Sequence, residues 1–134
     1  LLKPDGLMLL QAITMSDWIF DAHKRTVDFI KRYIFPGSCI PSISAICKSM
    51  SKETDLRIVD LLDIGPHYAR TLRLWRERFF ASINVVREQG FNEEFIRMWH
   101  FYLCYCEAGF SERYISDAQI LFAKPKNRRQ TEVK

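Results

Sequence analysis

The chain has no apolar run near the ~18–20 residues that cross a bilayer, and no signal-peptide pattern opens it. Cysteine is sparse. The four cysteines, at positions 39, 47, 104 and 106, are too few for a disulfide scaffold, and cytoplasmic redox conditions would keep them as thiols. Metal-ligand spacing is missing as well: His23, His67 and His100 are scattered. On a helix, Cys104 and Cys106 would point about 200° apart, so no metal is expected. The sequence also lacks G-x-G-x-x-G, a phosphate-binding Gly-rich loop and a recognisable Ser-His-Asp or Cys-His arrangement. The expectation is a soluble, cytoplasmic chain.

What is present suits one globular unit. The chain has 134 residues, 48% hydrophobic and 27% charged, and a domain of this length buries roughly two-thirds of its unfolded surface. The net charge of +4 sits in the last eleven residues, where Lys124, Lys126, Arg128, Arg129 and Lys134 outnumber Glu132. The rest is balanced, so a nucleic-acid partner is not expected, and residues 126–134 read as a basic, disordered tail. Weak attraction of that tail to anionic lipid head groups is the sharper alternative. The opening Leu1-Leu2-Lys3-Pro4-Asp5-Gly6 resembles a helix end and turn, as if the chain began within a fold.

Leu7 to Met15 is a nearly unbroken apolar run interrupted by Gln11 and reads as a strand covered on both faces. Asp17 to Phe35 reads as a helical segment stopped by Pro36-Gly37. A short helix follows from Pro41 to about Met50, with Pro41 in its first turn. Ser51 to Asp55 is a polar loop and Leu56 to Leu62 a branched-aliphatic strand. After Gly65-Pro66, Tyr68, Leu72, Trp75, Phe79, Ile83 and Val86 recur at helical spacing, with Gly90 just beyond the end. Asn92 caps a last helix whose stripe is Phe95, Trp99, Tyr102, Cys106 and Phe110, and Asp117 to Lys124 closes the chain as a strand. This is an α/β order.

In open α/β sheets ligands gather beyond the carboxyl ends of strands. Gln11 puts an amide in or near the end of the first strand. Asp63-Ile64-Gly65-Pro66-His67-Tyr68 opens a helix whose free N–H groups favour an anion, with a phenol at the same place. Each has a plainer reading: a satisfied core amide for Gln11, the head of a core stripe for Tyr68. Cys106 between Tyr102 and Phe110 reads as a small core residue.

Leu2-Lys3-Pro4-Asp5-Gly6, Leu9 to Thr14, Tyr33-Ile34-Phe35-Pro36-Gly37, Asp63 to Tyr68 with Thr71 to Trp75, and Tyr105-Cys106-Glu107-Ala108-Gly109-Phe110 resemble, in order and spacing, cyclopropane-fatty-acyl-phospholipid synthases from Leu1 to about Pro125. The resemblance implies the C-terminal half of a class I, Rossmann-like methyltransferase fold: three strands with flanking helices, the last strand antiparallel. It implies methyl transfer from S-adenosyl-methionine to a cis double bond of a phospholipid acyl chain, followed by proton loss and ring closure. Bicarbonate is implied as the base. Tyr68 and Cys106 match the family's catalytic positions. Gln11, Ile13, Tyr68 and Cys106 match its bicarbonate set, with Gln11 departing from the histidine of bacterial members. The S-adenosyl-methionine site is expected upstream of Leu1, so this chain alone is expected to be inactive. Implied partners are the unsaturated phospholipid and the inner face of a membrane, with a homo-oligomer left open. A related enzyme making methylene- or methyl-branched chains, or a truncated lipid-binding protein, are the alternatives.

Overall fold

The computed structural model describes residues 2–129 and shows three strands, β1 (Leu7–Met15), β2 (Arg57–Asp63) and β3 (Ile115–Ala123), in the order β1-β3-β2. β3 runs antiparallel to both neighbours, as expected of the last strand. Its register with β1 is unbroken, from Leu7 opposite Ala123 to Met15 opposite Ile115. Its register with β2 shifts between Ile58 and Asp60, leaving Val59 as a bulge.

Side chains alternate across a strand, so this register sorts the sheet into two faces. One carries Met8, Leu10, Ala118, Ile120 and Phe122, packed against Ile43, Ile46 and Met50 of α2 (Ile43–Glu53). The other carries Gln11, Ile13, Asp117 and Gln119 beneath α3 (Gly65–Ala81) and α5 (Glu93–Ser111). These helices enclose Leu72, Leu103 and Phe110, with Tyr68, Trp99, Tyr102 and Cys106 packed against that cluster. Glu107 ties them further by accepting from Arg73 and Arg76, each at 2.9 Å. β1 is less covered than its apolar run suggests. Leu9 is 56% exposed, on the edge strand and on the face opposite α2.

Several boundaries differ from expectation for identifiable reasons. The helical segment after β1 divides into α1 (Asp17–Arg25) and a π-helical turn at Ile30–Ile34. Thr26 is extended there, Asp28 Oδ1 accepts from the Lys31 N–H at 2.9 Å, and Lys31 Nζ binds the carbonyls of His23 and Thr26. Side chains thus take over backbone partners that a continuous helix would use. Pro41 lies outside α2, because Ser42 is the cap and its Oγ accepts from the Ala45 N–H at 3.2 Å. α2 also extends to Glu53, absorbing the start of the expected polar loop. The long helix after Gly65 breaks at Ser82, with α4 (Ile83–Glu88) beyond it. The break falls in a stretch of weak helix formers, Ser-Ile-Asn-Val-Val. Asn92 caps α5 as expected, and Gly90 takes φ +91°.

Residues 126–129 of the expected basic tail are among the described residues. Asn127 is 4% exposed and donates to the Asp5 carbonyl at 2.7 Å, holding residues 124–129 against the first turn. Residues 130–134 lie outside the described residues. Among the described residues no helix is long and apolar enough to cross a membrane, and no group of three His, Cys, Asp or Glu side chains could hold a metal.

Candidate functional site

Gln11 and Tyr68, far apart in sequence, meet over the polar face of the sheet. Gln11 Nε2 donates to the Tyr68 hydroxyl at 3.3 Å and to Asp117 Oδ2 at 3.1 Å, while Gln119 Nε2 donates to Gln11 Oε1 at 2.9 Å. Two local features deliver Tyr68 to this spot. Pro66 sits in the first turn of α3, where its missing N–H costs nothing. Gly65 lies so close to Ser116 that an added Cβ would fall 2.1 Å from the Ser116 Oγ, so only glycine lets the turn reach β3. Asp63 completes the turn by accepting from the Gly65 N–H at 2.9 Å and from the Ser116 hydroxyl.

The Tyr68 ring stacks on Phe110 with centroids 5.1 Å apart. Burial pushes its phenol above the ordinary value, helped by hydrogen bonding and charge from Asp117 and opposed by Gln11. Tyr68 is therefore a neutral phenol near pH 7, a donor rather than an anion.

Beside this pair lies a cavity of about 490 Å³. Ile13, Phe35, Tyr102, Cys106 and Phe110 form much of its apolar wall, and His23, Asp28 and Lys31 give it a polar border. Ile13 and Phe110 connect the two places: Ile13 pairs with Asp117 across the strands, and Phe110 carries the Tyr68 ring. Cys106 faces the cavity and is absent from the Gln11 hydrogen-bond network. Burial pushes its thiol up to about 11 against a hydrogen bond with Tyr102, so it is protonated at neutral pH and is neither a thiolate nucleophile nor a base.

The four residues singled out in the sequence thus fall into two places. Gln11 and Tyr68 share the polar face, Cys106 lines the cavity, and Ile13 joins them. Sequence reasoning missed Asp117 and Gln119. Their signal was two polar residues, two positions apart, at the start of an otherwise apolar strand.

Groups that could hold a ligand are few. The amide of Gln11 and the hydroxyl of Tyr68 are donors suited to a small anion such as bicarbonate. Among the described residues, the one strand-to-helix turn with glycine, at Gly65, lies tight against Ser116.

The arrangement of strands and helices is that of a class I S-adenosyl-methionine-dependent methyltransferase. It is similar to the crystal structure of mycolic acid cyclopropane synthase CmaA1 complexed with SAH and CTAB, with a TM-score of 0.77 and 29% identity over 90% of this chain and 45% of that one. The chain belongs to the mycolic acid cyclopropane synthetase family, whose sequence model matches residues 1–120. It is 47% identical to the tuberculostearic acid methyltransferase UfaA1 of Mycobacterium tuberculosis, over 86% of this chain and 27% of that protein. It is 35% identical to the cyclopropane-fatty-acyl-phospholipid synthase of Escherichia coli K12, over 92% of this chain and 30% of that protein. The chain therefore spans less than a third of the length of these two relatives.

Proposed function

We propose that this chain is the acyl-binding and proton-handling wall of an S-adenosyl-methionine-dependent methyltransferase that adds one carbon to a cis double bond of a phospholipid acyl chain and closes a cyclopropane ring. The observation that carries this reading is the apolar cavity meeting the Gln11–Tyr68 pair through Ile13 and Phe110. Such a reaction joins a methyl group to one alkene carbon and leaves positive charge on the other. Loss of a proton from the new methyl group then closes the ring.

Each part of this wall has a task in that chemistry. The cavity holds an uncharged hydrocarbon and keeps water from the cation. Gln11 and Tyr68, with the backbone of Ile13, would hold bicarbonate, which when bound supplies a proton acceptor. Gln11 cannot titrate, so it serves as a fixed donor at any pH where the protein is folded. Cys106, as a neutral thiol, shapes the cavity next to the reacting chain. A lipid substrate would bring the protein to the inner face of a membrane. Exposed Trp18, Tyr33 and Phe35, the last of which lines the cavity, support such contact.

A second reading, a methyl- or methylene-branched product, is favoured by the 47% identity to a tuberculostearic acid methyltransferase. The first cation is common to both: a 1,2-hydride shift before loss of a methyl proton gives a methylene branch, and a saturated methyl branch needs a further two-electron reduction by a separate hydride donor. Expression of the full-length parent, followed by mass spectrometry of its phospholipids, should show unsaturated chains gaining one CH2. No such gain sinks the proposal, and gas chromatography of the acyl esters separates ring from branch.

A further inference from the structure

Asp117 is 1% exposed, its Oδ1 has no hydrogen-bond partner, and it forms no ion pair among the described residues. A buried carboxylate oxygen left in this way costs about 1–3 kcal/mol or more. Leu121 and Ala123, further along the same face of β3, are buried apolar residues. Asp117 is better explained by what it does to its neighbours.

Gln11 and Gln119 are joined by one amide-to-amide hydrogen bond at 2.9 Å. Such a pair can invert both amides together and keep its bond, exchanging donor for acceptor at every outer edge. Inversion would turn the Gln11 carbonyl toward Tyr68 and remove the donor from which the Tyr68 hydroxyl accepts. An ionised carboxylate only accepts, so the 3.1 Å contact of Asp117 Oδ2 with Gln11 admits one of the two orientations. That orientation also presents the Gln11 NH2 group to the Tyr68 hydroxyl at 3.3 Å.

We propose that Asp117 is a positioning residue, whose carboxylate locks the Gln11–Gln119 amide pair in the orientation that turns the Gln11 NH2 group toward Tyr68. Its importance to turnover rests on the function proposed above; the locking itself does not. Asparagine at 117 keeps the shape and can either donate or accept, so it no longer selects an orientation.

The test uses the full-length parent with carbon-13-labelled tyrosine, the Tyr68 signal being the one lost in Tyr68→Phe. Asp117→Asn should lower the pH at which Tyr68 titrates, because charge and hydrogen bonding from Asp117 raise it. Gln11→Met should raise that pH, since the Gln11 bond opposes the rise. In lipid methylation, Asp117→Asn should lower kcat by about tenfold with a much smaller change in KM, and Tyr68→Phe/Asp117→Asn should be no slower than the slower single variant. A Tyr68 titration unmoved by Asp117→Asn, or losses that simply multiply, overturns the proposal. If Asp117→Asn does not fold, Gln11→Met decides: an unmoved or lowered Tyr68 titration overturns it. Titrations that shift as expected in a protein that methylates no lipid leave the locking in place and remove the proposed function instead.

Discussion

The two faces of one sheet follow different rules. On the α2 side, Met8, Leu10, Ala118, Ile120 and Phe122 form an apolar cluster with Ile43, Ile46 and Met50, and the polar Thr14, Ser116 and Asp63 of that face lie at one end of it. On the α3 and α5 side, the same strands carry Gln11, Asp117 and Gln119, one of them with an unmet hydrogen-bonding atom. Strand alternation makes the separation cheap, because adjacent residues of β3 serve opposite faces and neither compromises the other. The dry face supplies stability, and the polar face uses some of it to hold side chains where an apolar residue would pack better.

The largest effect should come from the dry face. Ile120 is 0% exposed at the centre of its cluster, and Ile120→Ala removes its side chain where little can collapse inward. A loss of about 2–5 kcal/mol is expected, read by urea or thermal unfolding of the full-length protein. The fraction still folded should keep its turnover. A stable but inactive Ile120→Ala protein would break the division between the faces.

Tyr68→Phe inverts that outcome. The ring and its stacking on Phe110 are kept and only the hydroxyl is lost, so stability should change by no more than ~1 kcal/mol, the worth of one partly exposed hydrogen bond. Turnover should fall about tenfold or more while cofactor affinity holds, the pattern of an interaction made in the transition state. Equal losses in both properties would show that the polar face is ordinary core.

How legible this division was in the sequence depended on the range of the interaction. β1 was readable to the residue, because a turn and a Ser-Asp pair bracket its apolar run. The Asn92 cap and Gly90 end were readable because both signals are local. The division of the segment after Asp17 was not, since it rests on Lys31 reaching back to the carbonyls of His23 and Thr26. The site was half visible. Gln11 stood out as a polar interruption in the middle of a nearly unbroken apolar strand, and Tyr68 by the turn before it. Asp117 joined them only through the β1–β3 register, which spans 106 residues between Gln11 and Asp117 and follows from no local pattern.

Cys106 sharpens the comparison from the cavity side. Its thiol, pushed up to about 11 by burial, should resist alkylation by iodoacetamide near neutral pH and react only in strongly alkaline solution, followed by peptide mass spectrometry. Cys106→Ser should lower turnover less than Tyr68→Phe, because a hydroxyl nearly fills the space of a thiol that carries no charge. Rapid alkylation near pH 7 would mean a thiolate faces the cavity, and the polar chemistry would then extend beyond the sheet.

The smallest effect belongs to the cavity border at His23. The ring is buried, the Ile40 N–H donates to Nε2 at 3.5 Å, and Asp28 lies 3.8 Å from Nδ1. Burial and then Lys31 hold its pKa below the ordinary value against the pull of Asp28, so the folded protein prefers the neutral ring. The unfolded chain therefore binds this proton more readily. The stability His23 contributes is complete above its unfolded pKa, about 6.5, and is lost as pH falls through the lower folded value. Protonation also fills the lone pair that accepts from Ile40, so the loss should centre on the segment crossing the cavity. Amide exchange of residues 26–40, corrected for its intrinsic pH dependence, should quicken relative to the sheet between about pH 7 and pH 5. His23→Gln, which cannot take up a proton, should remove that difference. An equal change throughout the sheet would mean that His23 acts on the whole fold, and the cavity border would no longer be separable from the two faces beneath it.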